Sequence, residues 1–486
     1  MKNSLKLNFI YNIAYQVLVL ILPLVTAPYL SRVVGPSGLG TYSYTFSVSY
    51  YFVLFAMLGV NNYGNRLVAQ KRDDREELSR SFWEVWALQA VLGTAAVAIY
   101  IVYSAGAPYG ATSLVWVLYV ASSVFDVNWL FFGLEEFGVT VGRNFVVKLL
   151  TFCLMFVVVR GEHAVLAYCA LISASFLVSV LVLWPFVFKR VSWVRPSIGG
   201  VIAHVVPNLT LFVPVVAVSL YTVLDKVMLG HMSTLEQTGF FENSLKVSQM
   251  PFTLVTALGT VMLPRMSNLI ASGREGEGRR YLGVSMWLAF GLSLAFSFGI
   301  AGVAPVLAPV YFGPGFEACV PVLCVLVLNM PFMAWANVLR TQYLIPKGMD
   351  RAYVLSVVAG AAVNVAANVA LIPRLGALGA AWGTTFAQIA VCIVQVVAVM
   401  GLLPQGNWLR ENLPFVAIGA VMFVAVRWLG SLMGLRVATL AAQVLVGGML
   451  FALLSWAWLA ATSNHYWTGF VLPMLKETVS RFRRKG

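Results

Sequence analysis

The chain has 486 residues, of which 60% are hydrophobic and only 10% charged, with a formal net charge of +14. Soluble domains carry about 25% charged residues, so a chain this apolar cannot cover a water-facing surface, and a soluble enzyme or nucleic-acid-binding protein is excluded. The surplus of Lys and Arg fits a polytopic membrane protein, through the positive-inside bias and the acidic inner leaflet; no nucleic-acid motif, and so no nucleic-acid partner, is read.

Met1–Lys6 carries the charge of a signal n-region, but the apolar run after it is too long and lacks a small-residue cleavage site, so it reads as a first spanning helix. A span needs about 20 apolar residues. That rule predicts about fourteen spans, at 8–31, 41–60, 82–103, 112–133, 140–159, 164–187, 203–229, 240–268, 282–303, 319–341, 352–373, 377–401, 413–430 and 437–460. Connections expected on the cytoplasmic side hold most of the cations, among them Lys2, Lys6, Arg66, Lys71, Arg72, Arg75, Arg143, Lys189, Arg190, Arg274, Arg279, Lys347 and Arg410. Alternate connections hold only Arg32, Arg160, Arg374, Arg427 and Arg436. A missed helix would reverse this bias downstream, so an even number of spans with both termini cytoplasmic is expected. The tail, 466–486, alternates Trp467, Phe470, Leu475 and Val479 with basic residues and reads as an amphipathic helix on the inner leaflet.

The two halves of the chain echo each other. The first span ends in Ser31-Arg32-Val33-Val34-Gly35, and Gly40-Thr41-Tyr42-Ser43 opens the second. The seventh ends in Lys226-Val227-Met228-Leu229-Gly230, and Gly239-Phe240-Phe241-Glu242 opens the eighth. A pair of helices joined by a glycine-bounded outer turn is therefore expected twice, and duplicated bundles of this kind place a transport cavity between their halves.

Chemistry-bearing groups are few. No hydrolase, kinase, phosphate-loop or metal signature is present, and the histidines, His163, His204, His231 and His465, are scattered. Cys153, Cys169, Cys319, Cys324 and Cys392 all lie in apolar runs and read as small buried hydrophobes. An enzyme acting on lipid-linked sugars would need a soluble domain or a large outer loop, so no catalysis, metal or cofactor is expected. What stands out is charge inside lipid, which costs roughly 2.5–3.5 kcal/mol per group even on lenient scales. Asp225 and Lys226 lie in the seventh span; Asp126 and Asn128 in the fourth; Lys148 in the fifth; Glu242 and Lys246, on one helical face, in the eighth; Arg340 near the end of the tenth; Asn364 and Asn368 on one face of the eleventh. One reading is structural: Glu242 paired with Lys246, Asp225 with a neighbouring helix, and Lys226 and Arg340 snorkelling to headgroups. The other is a central polar cavity with surplus positive charge, suited to a phosphate or diphosphate. In it Lys148, Lys226, Lys246 and Arg340 hold substrate. Asp126, Asp225 and Glu242 balance charge or carry a coupling proton or sodium ion, and Asn128, Asn364 and Asn368 line the walls.

Asp126-Val127-Asn128-Trp129-Leu130-Phe131-Phe132-Gly133-Leu134-Glu135-Glu136-Phe137 resembles the fourth-helix signature of Wzx-type polysaccharide flippases, within the multidrug/oligosaccharidyl-lipid/polysaccharide (MOP) superfamily that includes the MATE exporters. Leu30–Gly40, Leu224–Gly230, Gln342–Gly348 and the stretch from Ile372 to Ala381 match the same pattern in the same order. The resemblance implies two six-helix lobes, 1–195 and 196–402, two additional helices in 403–465, and a V-shaped cavity, with 466–486 as the basic cytoplasmic tail. It also implies the substrate, an undecaprenyl-diphosphate-linked oligosaccharide carried from the inner to the outer leaflet of a bacterial plasma membrane by alternating access. A polysaccharide polymerase and other assembly proteins are the expected partners. Two rival readings are a cation-coupled drug or metabolite exporter of the same superfamily, which would prefer an acidic, aromatic cavity, and a membrane-embedded enzyme acting on lipid-linked sugars.

Overall fold

The computed structural model describes residues 2–462 and 467–473, the side chains of 2–21, 470 and 471 excepted. Among the described residues every regular element is helical, as lipid demands of an open-ended chain, because an α-helix satisfies its backbone groups within itself. By contact the chain divides into two compact units, 1–242 and 243–486.

The first unit begins with α1 (Lys2–Met57), α2 (Val60–Lys71), α3 (Arg75–Gly106), α4 (Gly110–Leu114), α5 (Val117–Phe125) and α6 (Asn128–Gly133). It continues with α7 (Phe137–Val158), α8 (Ala164–Leu181), α9 (Trp184–Val187), α10 (Ile198–Ala203), α11 (Val205–Thr222) and α12 (Leu224–Met232), and ends in the first turns of α13 (Leu235–Ala271). One of its apolar cores gathers Phe82, Trp83, Trp129 and Phe131; a second gathers Tyr100, Trp116 and Val120.

The second unit holds the rest of α13, then α14 (Glu275–Leu307), α15 (Cys319–Val327), α16 (Met330–Leu339), α17 (Asp350–Leu375), α18 (Ala377–Ala398), α19 (Gln405–Met433) and α20 (Val437–Thr462). Wider π-type turns follow α14 at 308–312 and α16 at 340–344. Its largest core surrounds Met286, Trp335 and Leu339.

Thirteen segments among the described residues are long and apolar enough to cross a membrane. From the second onward they match the expected spans, third to fourteenth, one for one. The first, Leu22–Lys71, takes in the end of the first expected span and all of the second. The outer turn predicted between them is reduced to Gly35, at φ 67° and ψ −179°, inside the 56-residue α1. Glycine takes that positive φ at no steric cost, and Pro36, which lacks an N–H and is pre-set to a helical φ, opens the next helix.

Other spans are broken where the sequence predicts continuity. The fourth is divided into α4, α5 and α6. At its second break Asp126 is extended (φ −74°, ψ 105°), and its Oδ1 accepts the Asn128 N–H at 3.0 Å, offering the backbone a side-chain partner in place of the helical one. The seventh is divided at Val223 (φ −126°, ψ −36°), so Asp225 and Lys226 do not end a long helix but open the nine-residue α12. The expected tail helix, 466–486, lies mostly outside the described residues.

α1, α12 and α13 approach each other through glycine. A methyl at Gly40 would lie 1.7 Å from the Leu235 carbonyl oxygen, one at Gly239 2.0 Å from the Pro36 carbonyl oxygen, and one at Gly230 2.2 Å from the Tyr44 ring. Gly239→Ala should therefore lower the melting temperature of detergent-purified protein by a few degrees, since overpacking costs roughly 1–3 kcal/mol. Gly448→Ala, with nothing within 4 Å of the added carbon, should leave the melting temperature unchanged or raise it. Equal melting of the two variants would remove the close approach from the stability of the fold.

Candidate functional site

The glycine contacts bring α1, α12 and the first turns of α13 close enough for three polar side chains to meet. Lys226 Nζ lies 2.7 Å from Glu242 Oε2, and Ser43 Oγ donates to the same oxygen at 2.9 Å. The Lys226 and Glu242 side chains are 15% and 7% exposed. Lys226 is thus drawn inward to a carboxylate, and the expectation that it snorkels is corrected: the glycines open the space that lets the ammonium reach Glu242. An opposite charge and a hydroxyl together offset the cost of taking the carboxylate out of water.

Asp225 is 2% exposed and lies in the first turn of α12, where the positive end of the helix dipole favours a carboxylate. It sits in the electrostatic field of Tyr51, whose hydroxyl donates to the Ser219 carbonyl at 3.1 Å.

Asp126 and Asn128 belong to a second polar cluster. Besides the backbone bond, Asn128 Nδ2 donates to Asp126 Oδ1 at 2.6 Å, and Asn128 Oδ1 accepts from Arg143 Nη2 at 3.0 Å. Arg143 Nη1 reaches the Ser179 carbonyl at 3.1 Å. The sequence placed Arg143 in a cytoplasmic connection; it is 8% exposed, and it ties α7 to α6 and α8. Gln89 secures the same break by donating to the carbonyls of Ser123 and Asp126 at 2.6 and 2.8 Å.

Lys148 is exposed on α7, beside the equally exposed Leu149 and Leu150, and Lys246 is half-buried on α13. In the second unit, half-buried Arg340 donates from Nη2 to Asn337 Oδ1 at 2.8 Å and lies 5.9 Å from the centre of the Tyr353 ring. Asn364 and Asn368 are fully buried, with Asn368 Nδ2 3.2 Å from Asn364 Oδ1. They face α18 at Gly383, where a methyl would meet Asn368 Oδ1 at 2.0 Å. They lie at the packed seam between two helices, which the missing side chain at Gly383 opens to them. The five cysteines are free thiols.

A third polar cluster was not read from the sequence. Glu84 of α3, Tyr63 of α2 and His204, at the joint of α10 and α11, come together with Ser197. Tyr63 Oη lies 2.6 Å from His204 Nδ1, Glu84 Oε2 lies 3.6 Å from His204 Nε2, and Ser197 Oγ donates to Glu84 Oε1 at 2.7 Å. A carboxylate inside the expected third span was the available signal for Glu84.

Two family models match the chain. One, described as "Polysaccharide biosynthesis protein", matches residues 5–270; the other, described as "Lipid II flippase MurJ", matches residues 143–475. Two relatives carry the name "Putative O-antigen transporter". The Escherichia coli (strain K12) protein is 23% identical over 68% of this chain and 81% of its own length. The Shigella dysenteriae protein is 21% identical over 82% of this chain and 99% of its own length. Among solved structures, the lipid II flippase MurJ in an inward closed conformation superimposes with a TM-score of 0.73 at 12% identity, over 94% of this chain and all of that one. An inward-facing MATE-family multidrug transporter of the MOP superfamily gives 0.56 at 13% identity, over 84% and 96%.

The Lys226–Glu242 pair is testable by a double-mutant cycle. Lys226→Met deprives a buried carboxylate of its nearest ammonium and should cost about 3–5 kcal/mol of unfolding free energy in detergent. Lys226→Met with Glu242→Met should recover most of that loss. Additive losses would mean that the two side chains do not depend on each other.

Proposed function

The chain belongs to the polysaccharide biosynthesis family, as a Wzx-type, multi-pass membrane flippase of the MOP superfamily, and we propose that its substrate is an undecaprenyl-diphosphate-linked oligosaccharide repeat unit. The unit passes from the inner to the outer leaflet of a bacterial plasma membrane by alternating access of two six-helix lobes, 1–195 and 196–402. Both termini are cytoplasmic, in keeping with the distribution of Lys and Arg among the connections. A polysaccharide polymerase on the outer side takes the product.

One observation carries the reading beyond the family: a lysine and a glutamate 2.7 Å apart and nearly enclosed, where glycines bring three helices together. Ionisable groups at such depth mark transport routes in membrane proteins. Lys148, Lys226, Lys246 and Arg340 supply the positive charge for a diphosphate or an acidic sugar. Guanidinium and ammonium groups replace the hydration that this anion gives up on entry. Glu242 holds Lys226 until the substrate competes for it. Asp126 and Asp225 balance the remaining charge, and a proton or sodium ion drives the cycle. No catalytic step is assigned.

The reading predicts that the intact chain restores surface polysaccharide to cells whose own flippase is deleted. Lys148→Ala combined with Lys246→Ala should reduce that restoration at least tenfold at equal membrane abundance, with lipid-linked repeat units accumulating inside. Full restoration by the double variant would remove both lysines from the mechanism. Failure of the parent chain at normal abundance would overturn the assigned substrate.

A further inference from the structure

The Glu84–His204–Tyr63 cluster takes no part in the charge scheme above, and its geometry defines a separate site. Glu84 and His204 are 8% and 9% exposed. The Glu84 carboxylate faces Nε2 and favours the ring hydrogen on that nitrogen, which makes Nδ1 the acceptor in the 2.6 Å contact with the Tyr63 hydroxyl. Nε2 is buried without a hydrogen-bond partner and faces Glu84 Oε2 at 3.6 Å. A buried ring nitrogen and a buried carboxylate are thus set opposite each other, just beyond hydrogen-bond length.

We propose that these three residues form a proton-binding site: one proton, taken up at the cluster, converts Glu84 and a neutral His204 into a closed ion pair. The proton enters at Nδ1. Tyr63 then turns from donor to acceptor, and the ring, now charged, closes on Glu84. Local charge changes from −1 to 0, and the carboxylate, which accepts the 2.7 Å bond from Ser197, gains an opposite charge beside it.

Charged and polar groups face the site from every element packed against it. From α2 come Tyr63, Arg66 and Lys71; from α3, Glu84 and Glu77; from α10 and α11, His204 itself and the neutral Asn208, whose Nδ2 donates to the His204 carbonyl at 2.7 Å. Lys71 opposes a charged ring, but its ammonium is already met by Glu77 at 2.7 Å. Glu84 is the carboxylate closest to the ring. The site also has a built entrance for that carboxylate: a methyl at Gly200 would lie 1.9 Å from Glu84 Oε1, so only glycine there lets the carboxylate reach the turn that opens α10.

Position gives the proton its consequence. His204 is the joint between α10 and α11, where the seventh span begins. Its two ring nitrogens face α2 and α3. The charged and neutral rings make different bonds to these neighbours, so the two proton states hold the seventh span at different distances from α3. The coupling of this difference to saccharide movement rests on the transport reading above; the binding of the proton does not.

The experiment uses the full chain in lipid nanodiscs, labelled with ¹⁵N-histidine and titrated from pH 8 to pH 5. The His204 signal is assigned by its loss in His204→Gln. In the parent, His204 should take up a proton in this range, and its neutral form should carry the hydrogen on Nε2. Glu84→Gln and Gly200→Ala should each keep the ring neutral to pH 5, the second without removing any charge. Tyr63→Phe, which preserves volume, should redistribute the neutral tautomers. A ring that stays neutral in the parent, or titrates identically in Glu84→Gln, overturns the site. In proteoliposomes, an imposed pH gradient should accelerate movement of lipid-linked saccharide by the parent at least fivefold and fail to accelerate Glu84→Gln. If the parent moves no saccharide while His204 titrates with Glu84, the transport reading fails and the proton site stands. Equal acceleration of parent and Glu84→Gln overturns the coupling.

Discussion

A charge placed among spanning helices must find its counterpart inside the protein, because lipid offers none. Much of the site architecture answers that constraint. Lys226 meets Glu242, which also accepts from Ser43, Arg143 meets Asn128 and the Ser179 carbonyl, and Arg340 meets Asn337. Each of these contacts joins residues on different helical segments, or holds a helix that has been interrupted. The polar groups therefore organise the spans as well as occupying them.

Interruption is the second common theme. A continuous helix uses all of its own backbone hydrogen bonds and presents none to a neighbour. The breaks at Asp126 and Val223 interrupt the helical ladder, and polar side chains stand beside them. At Asp126 the compensation is explicit: Asp126 Oδ1 takes the Asn128 N–H, while Gln89 and Trp129 take the Asp126 carbonyl. Buried polar side chains and backbone breaks coincide because each supplies the other with hydrogen-bond partners.

The spans were legible in the sequence because hydropathy is a property of composition, summed over about 20 residues. The break at Gly35 was legible as a place, since Gly-Pro is a strong local signal, but its reduction to one residue was not. Val223 carries neither glycine nor proline, so nothing local announced its break. The polar contacts were less accessible still. Glu242 and Lys246 are four residues apart and invited pairing on one helical face; that Lys226 reaches Glu242 depends on Gly40, Gly230 and Gly239, which let three helices close together. Tyr63 and His204 stand 141 positions apart, beyond any periodicity. The repeated glycine motif was visible as an echo between two halves; that its two copies touch is a fact of three dimensions.

That contact has a mechanical side. Packed helices ordinarily interlock, with side chains of one seated between those of the other, and pulling them apart obliges many rotamers to change. Where Gly40 meets the Leu235 carbonyl and Gly239 meets the Pro36 carbonyl, main chain rests on main chain. Few rotamers stand in the way of parting such surfaces, so the hold between these helices falls to the Lys226–Glu242–Ser43 contacts beside them.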